Sequence, residues 1–233
     1  MEPLPAIFDG FYEMVGELGR GATGTVYEAR HKTLKRRVAL KVPGFSSDAE
    51  QLVKAQRFLC ECRALAHLTS VPGCNIPRLL VVTEYPEGRP YCVRELVEGS
   101  TLEQRIADGS IGLRAGLAVV AETVRVVEWV HAQGFAHRNL SPSNVLVDRD
   151  GSVWLIGFGR VGLLAGSPLA PAGEGTAAEV DAKGLRNMVR WLCGALLQPV
   201  PAELDSSSTG PVGSVGALGA AVARHLRMGN GTS

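Results

Sequence analysis

Residues 137–159 read HRNLSPSNVLVDRDGSVWLIGFG. Two short apolar runs, NVLVD and SVWLI, flank Asp150-Gly151, a pair suited to a tight turn between antiparallel strands. The stretch is predicted to be a hairpin entered through His-Arg-Asn and left through Gly-Phe-Gly. Whether those flanks carry chemistry depends on what the rest of the chain places beside them.

Upstream, residues 11–42 alternate as strands do. FYEMVGELGRGATGTVYEARH reads as strand, glycine turn, strand, and RRVALKV as a third strand. Residues 47–68 have helical periodicity, with Ser47 or Asp48 as cap and Glu61, Leu65 and Leu68 on one face. Two further strands are predicted near 78–84 and 90–94. From Thr101 the pattern becomes helical. Leu117, Val120, Val124, Val127 and His131 form one stripe of a helix over 114–132, with Gly134 as a stop. Helices are also predicted over 178–195 and 212–228, the latter lining up Val215, Leu218, Val222 and Leu226. VPAELDSSSTGPVGS between them reads as a loop.

Composition narrows the classes. In 233 residues, 45% are hydrophobic and 20% charged, which supports a packed core over global disorder. A formal net charge of +1 gives no reason to expect nucleic acid as a partner. Cys60, Cys62, Cys74, Cys92 and Cys193 are irregularly spaced, without a C-x-x-C pair or a completing histidine. They read as free thiols in a reducing cytoplasm. No apolar N-terminal segment resembles a signal peptide. GLAVVAETVRVVEWV carries Glu122, Arg125 and Glu128, so no membrane segment is expected.

LGRGATGTV holds Gly19, Gly21 and Gly24 in G-x-G-x-x-G spacing, followed by Val26. Glycines let backbone amides approach phosphates. The motif lies between two strands, not before a helix, which argues against a dinucleotide-binding turn. Lys41 closes V-A-L-K and is placed to meet phosphate charge. Glu61, mid-helix, is its candidate partner, with Glu50 a weaker rival.

Glycine loop, V-A-L-K, helix glutamate, hinge strand, His-Arg segment and Phe-Gly turn follow one another as in the protein kinase family, which residues 12–195 resemble. The resemblance implies an α+β, two-lobed kinase-like fold in a single domain over 1–233. Its N-lobe, about 11–97, is an antiparallel sheet plus one helix; its C-lobe, about 98–233, is mainly helical and shortened. It implies ATP as cofactor, with Val26, Ala39 and Leu146 sandwiching adenine. YCVRELVEG resembles the hinge, which puts Arg94 at the gatekeeper and Glu95 and Val97 beside the nucleotide; a one-residue slip would make Val93 the gatekeeper. Arg94 is expected to pair with Glu61 or fill the pocket. Leu65, His137 and Phe158 match the regulatory stack, and Asp181 the aspartate of the central C-lobe helix.

The departures concern chemistry. The family's H-R-D-x-x-x-x-N is His137, Arg138, Asn139 and Asn144 here, so an amide replaces the base. Ser141 stands where a lysine often sits. D-F-G is Gly157-Phe158-Gly159, which leaves Asn144 as the remaining metal-ligand candidate. A general base is worth about 10²–10⁴-fold, and a metal adds several kcal/mol of charge stabilisation, on the order of its Lewis-acid effect. These losses resemble the pseudokinases: no intact catalytic residue, weak ATP binding, no dependence on Mg²⁺, and a scaffold or allosteric role in signalling. The alternative is an unconventional or residual serine/threonine kinase. No A-P-E lies between Gly159 and Asp181, so the activation segment is expected to be short. Few residues follow Cys193, so MVRWLCGALL is expected to expose Val189, Trp191, Leu192, Leu196 and Leu197 to a protein partner.

Overall fold

The fold is given by a computed structural model, which describes residues 6–21, 23–44, 48–71, 73, 75–85, 89–164, 177–201, 204 and 214–228. The chain divides into two units, Met1–Pro72 with Ile76–Val97, and Gly73–Asn75 with Glu98–Ser233. The first is sheet plus one helix and the second mainly helical, the α+β composition expected.

In the first unit the strands are β1 (Ile7–Phe8), β2 (Tyr12–Gly21), β3 (Gly24–His31), β4 (Arg37–Val42), β5 (Leu79–Tyr85) and β6 (Arg89–Glu95). Helix α1 (Asp48–Leu68) falls between β4 and β5. They make one antiparallel sheet in the order β1-β2-β3-β4-β6-β5. Because successive strand residues face opposite sides, the registers Val26↔Lys41, Ala39↔Arg94 and Lys41↔Cys92 put these five side chains on one face. Leu40 and Val93, in register with each other, turn to the other face and pack with Ala29, Val38, Tyr91, Phe8 and Tyr12. Phe8 meets Tyr91 edge to face, with centroids 5.0 Å apart, the favoured aromatic geometry. On the first face, Phe58 and Cys62 of α1 pack against Cys92. β2 departs from the alternation its sequence suggests. Two register shifts interrupt it, and Val15 and Leu18 are exposed, because β1 covers only its first two residues.

The second unit contains β7 (Gly99–Thr101), α2 (Leu102–Ala107), α3 (Leu113–Ala132), β8 (Phe135–Ala136), β9 (Val145–Asp148), β10 (Val153–Leu155), β11 (Gly162–Leu163), α4 (Ala177–Ala195) and α5 (Val215–Met228). A capping box starts α2: Thr101 Oγ1 accepts from the Gln104 amide, and Gln104 Oε1 from that of Thr101. The predicted hairpin is β9–β10, with Gly151 at φ +83° in its turn.

The predicted stripe of α3 is its core: Leu117, Val120, Val124 and Val127 are buried. Helices α4 and α5 both pack on it. At Gly116 a Cβ would stand 2.7 Å from Leu192 Cδ1, so glycine permits α4 to approach this closely. The expected exposed face of MVRWLCGALL is therefore corrected. Val189 and Leu192 are buried, with Leu185, Met188 and Cys193, and Trp191 and Leu196 are half-buried. Only Leu197 of the five is exposed, at 91%. One helix, α5, covers enough because Val215, Leu218 and Val222 all face inward and α3 supplies the rest. The residues around the expected activation segment, 165–176, and most of the Pro/Ser/Gly loop lie outside the described residues, as does Cys74.

Candidate functional site

In the first unit the candidate residues form a buried charge cluster on the α1-facing side of the sheet. Lys41 Nζ donates to Glu61 Oε2 at 2.6 Å and to Thr23 Oγ1 at 2.7 Å. Arg94 Nη2 donates to the other oxygen, Glu61 Oε1, at 2.5 Å. One carboxylate thus holds two cations. The Glu61 side chain is fully buried, and those of Lys41 and Arg94 nearly so. Glu61 partners Lys41, while the Glu50 side chain lies outside the described residues, and Arg94 rather than Val93 faces this cluster, since Val93 lies in the opposite core.

The electrostatics follow from burial and from this pairing. Burial is the largest influence on Lys41 and lowers its pKa; Glu61 opposes that, and Arg94 adds to it. Burial raises Glu61, but Arg94 and then Lys41 outweigh it, so the carboxyl stays below its ordinary range. Burial pushes Arg94 down, yet Cys92 and Glu61 together carry it above the usual guanidinium range. Its Nε is buried without a hydrogen-bond partner among the described residues.

The glycines differ in what holds them. Gly24, at φ +136°, sits so close under Val42 and Pro43 that no side chain fits. At Gly19 and Gly21 the space a Cβ would take is open, so packing does not require glycine there. Val26 and Ala39 are half-buried on the Lys41 face. Glu95 is engaged at the end of β6, its carboxylate accepting from the Arg78 amide at 3.3 Å, and Val97 is half-buried. Leu65 is buried in this unit.

In the second unit the candidate residues are organised by Asp181 of α4. Its Oδ1 accepts from the Arg138 amide at 2.7 Å, and Oδ2 from the His137 amide at 2.8 Å. Oδ2 also lies 2.8 Å from His131 Nε2. This fully buried carboxylate fixes the loop backbone, including Arg138 at φ +59°, a conformation that residues other than glycine seldom adopt. His137 Nε2 donates to the Ile156 carbonyl at 2.8 Å, and Nδ1 accepts from the Asn139 amide at 3.2 Å. Both ring nitrogens are thereby used in one neutral tautomer. The ring meets Phe158 edge to face, with centroids 4.6 Å apart.

Around this frame the reactive positions carry amides. Asn139 Nδ2 donates to the Gly157 carbonyl at 3.4 Å, and Asn144 Nδ2 to the Asn139 carbonyl at 2.7 Å. Gly157 has φ +82°, and a Cβ there would fall inside the Asn144 carboxamide. The Asn144 side chain thus packs over the α-carbon of Gly157. Ser141 Oγ lies 3.0 Å from Ser143 Oγ, and Leu146 is half-buried on β9. Among the described residues, no group of three or more His, Cys, Asp or Glu is placed to hold a metal ion.

Sequence reasoning missed Thr23 and His131. A hydroxyl between two glycines of the loop was the available signal for Thr23. His131 was assigned only to a helical stripe, although it follows the buried positions at helical spacing and turns a polar ring towards α4.

Residues 12–178 match the family model for the protein kinase domain. The chain is 33% identical over 193 residues to the serine/threonine-protein kinase PknL of Mycobacterium tuberculosis, covering 80% of this chain and 46% of the relative. It is 33% identical over 174 residues to PknA of the same organism, covering 70% and 38%. It is 36% identical over 156 residues to the DNA damage-responsive serine/threonine-protein kinase RqkA of Deinococcus radiodurans, covering 66% and 23%. The chain spans less than half the length of each of these relatives.

Proposed function

Because the chain belongs to the protein kinase family, each altered position can be set against a defined duty, and we propose that it is a catalytically impaired member, a pseudokinase that works as a binding, scaffold or allosteric module. The observation that carries this reading is the Asn139–Asn144–Gly157 arrangement. An amide at 139 cannot take a proton from a substrate hydroxyl, and its NH₂ is directed at the Gly157 carbonyl. Position 157 offers no side chain, and Asn144 packs into the space one would need.

The donors here do not suit Mg²⁺, which is usually held through one or two carboxylates. Asn144 supplies an amide oxygen, and among the described residues no cluster of carboxylates is placed with it to hold a metal ion. The phosphate side fits better: Lys41 is positioned by Glu61 and Thr23, and the space over Gly19 and Gly21 is open. Nucleotide binding is therefore weak and independent of Mg²⁺, through Lys41, the glycine loop, Val26, Ala39, Glu95, Val97 and Leu146. Arg94 restricts it by filling the space beside Glu61. The module recognises a protein, and no nucleic acid; its place is the cytoplasm. Among the described residues no helix is long and apolar enough to cross a membrane.

The test is thermal unfolding with ATP, with and without Mg²⁺. Ligand at 100 times its Kd stabilises by about 2.7 kcal/mol. The expected result is a small shift, equal in both conditions. A large rise only with ATP and Mg²⁺ together would overturn the reading.

A second reading, residual serine/threonine kinase activity, is favoured by the intact Lys41–Glu61 pair and by the named activity of the relatives. It is separated from the first by measuring transfer of the γ-phosphate.

A further inference from the structure

One stretch of the first unit concentrates cations that the site above does not use. Residues 30–37 read RHKTLKRR, five Lys or Arg and no acid in a chain of net charge +1, so the remainder of the chain is net negative. They end β3, form the turn after it and begin β4. We propose that this turn binds the surface of an anionic phospholipid bilayer, Lys32, Lys35 and Arg36 meeting the headgroup phosphates and Leu34 entering the edge of the acyl region. This contact is independent of the nucleotide reading above.

Local acids compensate the strand residues and not the turn. Glu28 Oε1 accepts from Arg37 Nε at 2.7 Å, and Glu13 of β2 lies in register with Arg30. Lys32, Lys35 and Arg36 make no ion pair among the described residues, and Lys35 and Arg36 are exposed. Three cations within five residues repel one another, and an anionic surface relieves that repulsion.

The same turn holds apolar surface out in water. The Lys35 amide donates to the His31 carbonyl and the His31 amide to the Arg36 carbonyl, both at 2.8 Å. The Leu34 amide donates to His31 Nδ1 at 3.2 Å. Lys35 takes φ +55°, where turns more often place glycine or asparagine. Leu34 is thereby fixed at the apex, 70% exposed. Phe11, 56% exposed, adjoins it through His31: its carbonyl accepts from the Lys32 amide at 2.8 Å, and the two rings lie 6.3 Å apart. Apolar side chains set among cations are the pairing that seats amphipathic segments at a bilayer surface. The negative potential of an anionic leaflet attracts basic segments of this kind. A convex apex suits a soft surface that moulds to it, whereas a rigid protein partner would need a matching cleft.

The experiment is co-sedimentation of the full chain with vesicles of phosphatidylcholine, alone or mixed with phosphatidylglycerol. Expected is binding to the mixed vesicles only, lost as salt shortens the Debye length from about 10 Å at about 0.1 M to about 3 Å at about 1 M. The triple variant Lys32→Gln, Lys35→Asn, Arg36→Gln should bind about 10²-fold more weakly, at roughly fivefold per cation near an anionic surface. Asparagine at 35 still accommodates the positive φ. Leu34→Ser should bind about tenfold more weakly. Failure to bind mixed vesicles, equal binding to neutral ones, or binding unchanged in the triple variant overturns the proposal. So does tighter binding, at equal charge concentration, to a polyglutamate peptide or a single-stranded oligonucleotide, since the cations would then serve another polyanion. Thermal unfolding checks that the variants are folded, and the lipid and salt dependence of the unaltered chain stands independently of them.

Discussion

The charge cluster of the first unit and the loop frame of the second use their carboxylates differently. Around Glu61, Arg94 joins Lys41 on one buried carboxylate. Around Asn139, Asp181 holds the backbone of His137 and Arg138, while positions 139 and 157 carry an amide and no side chain. The difference separates two kinds of charge. Glu61 and Asp181 are fully buried and satisfy neighbours of this same chain, so losing either leaves buried groups unpaired. A carboxylate at 139 or 157 would serve a substrate or an ion, and the fold stands without it.

The largest effect is expected from Glu61→Ala. Lys41 and Arg94 would face each other with no anion, costing about 3–5 kcal/mol, read by urea unfolding. Asp181→Ala should come next. It orphans two backbone amides and frees His131, for a loss of about 2–4 kcal/mol; an equal or larger loss than at Glu61 would reverse the ranking of the two regions.

Gly157→Asp is expected to cost about 1–3 kcal/mol through its positive φ and the displacement of Asn144. Combined with Asn139→Asp it should still fail to give an efficient kinase, since Arg94 remains beside Glu61. Robust transfer by the double variant to an acceptor peptide would show that only the acids were lacking.

Arg94→Met should change stability by no more than about 1 kcal/mol in either direction, because Glu61 keeps Lys41 and an unpaired Nε is removed. The pH dependence sharpens the comparison further. The Glu61 pKa is depressed in the folded state, so its contribution is present above the unfolded value of 4.5 and is lost as pH falls through the folded one. Glu61→Gln should flatten stability against pH below that value, as read by unfolding at a series of acid pH values.

Much of this was legible in the sequence because local periodicity and pair spacing report it. Alternation marked the strands that carry Lys41, helical spacing placed Glu61 with Leu65 and Leu68, Asp150-Gly151 marked the hairpin, and only the resemblance suggested Arg94 as a partner of Glu61. Coverage of α4 was not legible. Counting residues after Cys193 could not reveal that Gly116 lets α4 press against α3, or that α5 turns Val215, Leu218 and Val222 inward. The packing of Cys62 against Cys92 was hidden for a similar reason: it depends on α1 lying over one face of β6, which no local pattern states. β2 misled because alternation of residue types does not say whether a neighbour exists to bury them.

The most direct test of impaired catalysis is transfer of the γ-phosphate from ATP, with Mg²⁺ present, to a generic serine/threonine acceptor, measured in parallel on Lys41→Met. The account predicts no transfer above that of the variant. Lys41-dependent turnover within the range of family kinases, roughly 1–100 per second, would contradict it.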